Sequence, residues 1–255
     1  MATHLKIVAM TIRSLACAAL FFVFANDAYS EQIFTSGAKP PQLIELFTSE
    51  GCSSCPPADR LLSSLDDHEG LWTEFVPLAF HVDYWDWLGW KDRFASPENT
   101  NRQRKHHQNG KVDSVYTPGF VVAGNEWRGF FGGQPIPNNN QELAKQLQLS
   151  VSDNRFDLTY NGESTDVGIA YVAILGMDLE TQVKRGENSG RKLTHDFVVL
   201  DWQALPAGQN NWNGTIKTDW DEQTSRYAIA AWVERSDTPV PLQVVAGYLD
   251  KQETQ

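Results

Sequence analysis

Apolar positions divide the chain into a first half, where strand and helix patterns alternate, and a second half of short strands. Residues 42–48 form a largely apolar run, which is typical of a buried strand. A polar arm with two prolines, residues 31–41, precedes this strand. After the strand, four apolar side chains recur at the spacing of one helical face, which predicts a helix. They are Ala58, Leu61, Leu62 and Leu65.

Three further elements follow in the first half. Apolar residues alternate with polar or small ones over 78–83, which predicts a strand, and Pro77 is expected as its first residue because proline cannot donate to a central ladder. Ser96 and Pro97 have the cap-plus-proline pattern of a helix start, and this helix is expected to end at Asn109-Gly110. A third strand and a last helix are predicted at 115–122 and 140–149.

The hydrophobic period changes near residue 150. Beyond that point, short alternating segments with turn residues between them predict strands at 156–160, 167–175, 194–200, 227–233 and 244–249. The pattern therefore predicts an α/β domain at 31–149, followed by an all-β, sandwich-like domain at 150–255. The chain as a whole is expected to be α+β.

Residues 1–30 have the pattern of a secretory signal peptide. Lys6 and Arg13 are followed by an apolar stretch, and small residues at 28 and 30 predict cleavage after Ser30. Cys17 would be lost with this segment. The mature protein is therefore expected in the periplasm or outside the cell, where a disulfide persists.

The charge and apolar content exclude several classes of partner. The net charge is −11, which disfavours binding to nucleic acid or to anionic lipid. No segment after residue 30 has the long apolar run needed to enter a membrane. We find no pattern of a phosphate-binding loop, a nucleophilic serine elbow or a dinucleotide site. The oligomeric state is left open.

The candidate chemistry lies in the sequence Cys52-Ser53-Ser54-Cys55, between the first strand and the first helix. Two cysteines at this spacing either close a small disulfide ring or share a metal ion, and a helix N-terminus favours the thiolate form. Pro56 and Pro57 are compatible only with the first turn of a helix, so the helix is expected to begin near Ser54 or Cys55.

The order of elements is that of a thioredoxin-like domain: strand, CxxC, helix, strand, helix and then a Thr-Pro at a strand start. Thr117-Pro118 is accordingly expected to be a cis-proline element folded against the two sulfurs. It would expose the backbone of Thr117 to an extended substrate. Tyr116, Trp85 and Trp87 are candidates for contact with that substrate, although plain packing of the cluster from Tyr84 to Trp90 is the alternative.

Four long motifs resemble one bacterial secreted family, known as domain of unknown function 1223. They are ELFTSEGCSSCPPAD, FHVDYWDWLGWKDRFASP, VYTPGFVVAG and GENSGRKLTHDFVV. The resemblance covers nearly all of the mature chain. It implies a thioredoxin-like fold with a β-rich C-terminal part, and it implies no particular substrate. In such folds the first cysteine is the more exposed, so Cys52 is expected to be the nucleophile and Cys55 the resolving cysteine.

Several polar residues have both a chemical and a structural interpretation. Glu45, inside the first strand, is either the proton acceptor for the resolving thiol or a structural acid paired with a basic residue. His81 and Asp83 form a metal-binding pair, a proton relay or a hydrogen-bonded core pair. His106 and His107 are expected on a solvated helix face, and residues 186–191 in a hairpin turn before His195.

The sequence therefore favours a thiol–disulfide oxidoreductase that acts on protein thiols or disulfides, with the Cys52–Cys55 pair as its only redox group. No metal or separate cofactor is expected. Two alternatives remain open at this stage: a Cu(I)-handling protein using both cysteines and a histidine such as His81, and a binding module with an inert, structural disulfide. The β-rich half is expected to recruit clients or a partner.

Overall fold

The computed structural model describes residues 31–138, 143–217, 224 and 226–250. Strands dominate this part of the chain, and two α-helices and three short 3-10 helices accompany them. The elements in chain order are β1 Gln32–Thr35, β2 Gln42–Thr48, α1 Pro56–Ser63, β3 Phe75–His81, α2 Pro97–Gln108, β4 Gly119–Val122, β5 Asn125–Glu126, β6 Leu147–Ser152, β7 Arg155–Tyr160, β8 Val167–Gly176, β9 Leu179–Gln182, β10 Lys192–His195, β11 Val198–Leu205, β12 Asn211–Thr215, β13 Tyr227–Arg235 and β14 Pro241–Tyr248.

The main sheet has eight strands in the order β14-β13-β8-β11-β3-β2-β4-β5. Strands β2 and β3 are parallel neighbours, and every residue of both is buried. Helix α1 packs on one face, where Ala58 and Leu62 meet Ile44 and Leu46. Helix α2 lies on the other face, where Arg102 reaches Glu45. Because both faces of β2 are covered, its largely apolar sequence matches its position.

A second sheet, in the order β1-β6-β7-β12, packs against the main sheet. Alternate residues of β6 and β7 turn inward and share a core with β8, β13 and β14. The alternating pattern of the second half thus corresponds to strands of two sheets that share one core. The fold is thus mostly β, with several sheets, and is compatible with the α+β class.

The main sheet joins strands from both sides of residue 150, because β8, β11, β13 and β14 continue the sheet begun by β2 and β3. Strand β1 also crosses the predicted boundary in the other direction and pairs with β6. The polar arm predicted at 31–41 is therefore partly strand, since Phe34 packs against the sandwich core. The division into domains at 149/150 remains a prediction.

Two other predictions about elements are wrong. Pro77 lies in the middle of β3 rather than at its start. The Ala79 N–H points to the β11 side of β3 and donates to the Phe197 carbonyl. The backbone nitrogen of Pro77, two residues earlier, points to the same side, where β11 does not yet pair with β3. Pro77 therefore does not need an N–H at this position. Of the helix predicted at 140–149, residues 140–142 lie outside the described residues, and the described remainder contains no helix. Strand β6 begins at Leu147 instead, because Leu147 and Leu149 alternate with polar residues over a buried face.

Residues 1–30, for which the signal peptide is predicted, lie outside the described residues. Within the described ranges, no helix combines the length and the apolar character required to cross a bilayer.

Candidate functional site

Cys52 and Cys55 form a disulfide at the N-terminus of α1, with Cα atoms 5.5 Å apart. Cys55 is the cap residue, and Pro56 and Pro57 occupy the first turn, as their lack of an N–H requires. Both cysteines are buried, Cys52 with 1% and Cys55 with 0% of its surface exposed. In this oxidised form, exposure therefore does not distinguish Cys52 from Cys55, and the assignment of Cys52 as the nucleophile stays a prediction.

A loop from the second half of the chain covers the disulfide. It joins β9 to β10 over residues 183–191, and Gly186 and Gly190 adopt positive φ angles within it. Asn188 is fully buried, and its side-chain N–H groups donate to the carbonyls of Cys52 and Glu50, each at 2.9 Å. The carboxylate of Glu187 accepts from Ser53 N–H at 3.0 Å. The hairpin predicted at 186–191 is confirmed, and it also holds the CxxC backbone.

Thr117 and Pro118 lie at the same end of the sheet as the cysteines. Their peptide bond is cis, as predicted, and it precedes β4, which pairs antiparallel with β2. Trp85 links the two segments. The indole N–H of Trp85 donates to Thr117 Oγ1 at 2.8 Å. Trp85 also lies close to Gly51, the neighbour of Cys52, because a Cβ atom added to Gly51 would be only 2.9 Å from the Cβ of Trp85.

The other candidate substrate contacts surround this corner. Trp87 is 80% exposed on a short 3-10 helix at Asp86–Leu88. The Tyr116 hydroxyl donates to Glu126 at 2.8 Å, while its carbonyl accepts from Gln103. Among the backbone hydrogen bonds of the described residues, none involves the N–H or the carbonyl of Thr117. Trp85 is thus partly a packing residue, whereas Trp87 and the backbone of Thr117 are available to a ligand.

Glu45 does not lie beside α1. Its side chain points to the α2 face of β2, where it forms an ion pair with Arg102 and lies 3.1 Å from His106 Nε2. Burial alone would raise the pKa of Glu45, but Arg102 and His106 outweigh it and lower the pKa to about 2. The low pKa and the ion pair with Arg102 match the alternative of a structural acid paired with a basic residue.

Two histidine predictions are also corrected. His106 is buried beside Glu45 rather than on a solvated face, and only His107 is exposed. His81 does not pair with Asp83, because Asp83 turns toward α2 and accepts from Thr100 at 2.6 Å. Helix α2 buries several polar side chains against the sheet, which its strongly polar sequence did not suggest.

A buried polar cluster lies on the α1 side of the sheet. His81 Nδ1 is 2.7 Å from Asp92, and the His81 and His195 rings meet edge to face, with centroids 4.9 Å apart. Asp59, on the buried side of α1 one turn after Cys55, accepts from Thr48 at 2.7 Å and lies 3.9 Å from His195 Nδ1. Glu50 completes the cluster, 3.6 Å from His195 Nε2.

The charges of this cluster follow from its contacts. Burial works against the ionised forms of His81 and Asp92, but their mutual attraction prevails, raising the pKa of His81 and lowering that of Asp92. Asp59 has the opposite balance, because burial outweighs His195, His81 and Thr48 and raises its pKa. In the described part of the chain, no group of three or more Asp, Glu, His or Cys side chains is arranged to hold a metal ion.

A family model described as "Protein of unknown function (DUF1223)" matches residues 43–234. The chain belongs to the DUF1223 family. A crystal structure of an Agrobacterium tumefaciens protein is similar at 24% identity and a TM-score of 0.54, covering 86% of this chain and 98% of that one. HBP35 of Porphyromonas gingivalis is similar at 13% identity and a TM-score of 0.53, covering 86% and 79%. These two likenesses concern the fold alone. None of the curated proteins matches the chain.

Three residues of this DUF1223 site were missed in the sequence: Asp59, His195 and Asn188. Asp59 had a usable signal, since it stands four residues after Cys55 and three before Leu62 on the apolar side of the predicted helix. Asn188 and His195 lie in the motif GENSGRKLTHDFVV, which was a signal, but the motif did not show what they contact, because they lie more than 130 residues from Cys52 in sequence.

Replacing Asp59 with asparagine tests the cluster through its pH dependence. A raised folded-state pKa means that the folded protein holds the Asp59 proton more tightly than the unfolded chain, so this contribution to stability is present at low pH and lost as the pH rises through the folded pKa. Asp59→Asn keeps the acceptor for Thr48 and cannot ionise. It is therefore expected to increase the free energy of unfolding at pH 7, with a difference that shrinks toward pH 4.

Urea unfolding at both pH values measures this effect, with the exposed Asp67→Asn variant as a control for net charge. A gain of equal size at both pH values, or a loss confined to pH 7, would show that burial does not raise the pKa of Asp59.

Proposed function

We propose that this DUF1223 protein is a thiol–disulfide oxidoreductase of thioredoxin-like fold, and that the Cys52–Cys55 pair exchanges with thiols or disulfides of client proteins. The observation that carries the proposal is the position of Trp85 between the two segments: its indole N–H donates to Thr117 Oγ1, and its Cβ lies beside Gly51, the neighbour of the disulfide-bonded Cys52. The parallel pair β2–β3, with α1 and α2 on opposite faces and β4 antiparallel to β2, supports the thioredoxin-like description.

The exchange has two steps that balance in sulfur and electrons. In the reduced protein, the Cys52 thiolate attacks one sulfur of a client disulfide, forms a mixed disulfide and releases the first client thiolate. The Cys55 thiolate then attacks Cys52, closes the Cys52–Cys55 bond and releases the second. The client gains two electrons and the protein pair loses them, and the reverse sequence oxidises a client dithiol.

Neighbouring groups have defined roles in these steps. Ser54 Oγ lies 3.3 Å from Cys52 Sγ, where its hydroxyl donates to the thiolate and stabilises it. Asp59, rather than Glu45, takes the proton from the Cys55 thiol, because it lies on the same side of α1 and its pKa is raised. His195 is the neighbouring ring, with its Nδ1 3.9 Å from the Asp59 carboxylate.

The client is held by backbone pairing and aromatic contact. An extended client segment pairs with the free N–H and carbonyl of Thr117, next to Tyr116 and Trp85, and the exposed Trp87 packs against it. The predicted leader at 1–30 sends the protein to the periplasm or the outside, where such exchange has substrates. The client is a protein, and neither nucleic acid nor a membrane takes part.

A second candidate function is a binding module in which the disulfide is only structural. The burial of both sulfurs beneath the β9–β10 loop favours it, since a disulfide shielded from attack is inert. On this alternative, the exposed parts of the β-rich half bind a partner, and replacement of the cysteines leaves that binding unchanged.

Single-cysteine variants separate these two functions. Cys55→Ser retains the Cys52 thiol and is expected to accumulate a mixed disulfide when the folded protein is mixed with an oxidised peptide disulfide. Cys52→Ser retains only Cys55 and is expected to react no faster than the buffer background. Mass spectrometry of acid-quenched samples gives both rates. Equal reactivity of the two variants, or none in either, would refute the exchange mechanism.

A further inference from the structure

A cavity of about 470 Å³ opens beside the disulfide, between the first turn of α1 and strand β10. Ser53, which lies between the two cysteines in sequence, forms part of its wall together with Pro57 and Leu193. The volume is within the range of small-molecule sites. The cavity thus offers room for a ligand of about tripeptide size directly next to the CxxC.

The charges of this cavity are opposite to those of the protein. Arg60, Arg191 and Lys192 line it, and among the described residues no aspartate or glutamate does. The whole chain carries a net charge of −11, with 21 Lys and Arg against 32 Asp and Glu. The lining of this cavity is therefore positively charged although the chain as a whole is negatively charged. Such a cluster of three cations without a lining acid attracts anions.

The three cations differ in how far they are already engaged. Lys192 forms an ion pair with Glu180 at 2.7 Å. Arg191 uses one N–H group to donate to Asn188 Oδ1 at 2.9 Å. Arg60 is exposed, and within the described part of the chain its side chain has neither an ion pair nor a hydrogen bond. The planar guanidinium groups of Arg60 and Arg191 suit the two oxygens of a carboxylate.

We infer that this cavity binds a carboxylate of the thiol or disulfide substrate, so that the protein prefers anionic substrates. The inference rests on the proposed exchange at Cys52. Because Arg191 also contacts Asn188, binding at this site is expected to affect the loop that covers the disulfide. The same guanidinium that faces the cavity also holds Asn188, whose side chain covers Cys52, so a bound carboxylate competes for the group that fixes the loop.

The exchange rate of the reduced protein tests this preference. The probes are glutathione disulfide and its carboxylate ethyl ester, which have the same reacting sulfurs and differ in negative charge. The ratio of the two rates is expected to fall about threefold to tenfold in Arg60→Gln. The ratio should also fall with added salt. Lys184→Gln removes the same charge from an exposed part of the β9–β10 loop and is expected to keep the wild-type ratio.

Binding of S-methylglutathione, which cannot exchange, separates this inference from the proposed function. Calorimetry of the oxidised protein is expected to show weaker binding in Arg60→Gln, by the same factor, and no change in Lys184→Gln. A rate ratio and an affinity that are equal in wild type and Arg60→Gln would overturn the anionic site and leave exchange intact. Binding that depends on Arg60, without any exchange, would keep the site and refute the oxidoreductase.

Discussion

Arg102→Met is expected to lower the free energy of unfolding by about 3–5 kcal/mol. Arg102 is buried between the sheet and α2, where it donates to Glu45 and, at 3.1 Å, to Glu234. Its guanidinium also lies 4.9 Å from the centre of the Trp232 ring. Methionine fills much of the volume but leaves two buried carboxylates, whose remaining basic neighbours are His106 for Glu45 and Lys105 for Glu234.

Denaturant unfolding measures this loss, and two further variants fix its cause. Arg104→Met, on the exposed side of the same helix, is expected to stay within about 0.5 kcal/mol of wild type. Adding Glu45→Gln and Glu234→Gln to Arg102→Met removes the stranded charges and is expected to recover part of the loss. A loss below about 1 kcal/mol for Arg102→Met alone would mean that this network contributes little, contrary to its burial.

Asn188→Ala is expected to speed the reduction of the Cys52–Cys55 disulfide. The Asn188 side chain donates to the carbonyls of Glu50 and Cys52 and accepts a third hydrogen bond from Arg191. If the loop must open before a thiol reaches Cys52, the loss of these bonds lowers the opening free energy by about 1–3 kcal/mol. The rate with dithiothreitol should then rise by about 5-fold to 100-fold.

The control lies in the same loop. Ser189 is exposed and its hydroxyl donates to the Lys184 carbonyl within the loop, so Ser189→Ala is expected to keep the wild-type rate. Timed alkylation of free thiols, well below the unfolding temperature, follows the reaction. An Asn188→Ala rate equal to wild type would show that the loop does not limit access to the sulfurs.

Local sequence signals predicted the elements that frame the site. Three of these signals depend only on residues close together in sequence, and all three elements are found where expected. They are the apolar run of β2, the prolines after Cys55 and the Ser96-Pro97 cap. The packing of α2 against the sheet was harder to predict from the sequence. Its residues are polar, and only the acidic groups contributed by β2 and β13 explain why Arg102 and His106 are buried.

Contacts between distant segments account for the rest. Glu45 and Asp59 are both acids near the cysteines in sequence, but strand alternation places Glu45 on the α2 face, whereas Asp59 lies on the buried side of α1. The face was not predictable without the neighbours of β2. The covering loop is separated from Cys52 by more than 130 residues, and no local pattern in 183–191 indicates what it touches.

The central claim is that Cys52–Cys55 is a working redox pair, and its reduction potential tests this most directly. The mature protein is equilibrated with glutathione buffers of graded poise, and thiols are trapped at each point. We expect reversible oxidation at a potential between roughly −270 and −120 mV. A potential below about −300 mV would contradict it, because the disulfide would then be a structural bond that physiological thiols do not reduce.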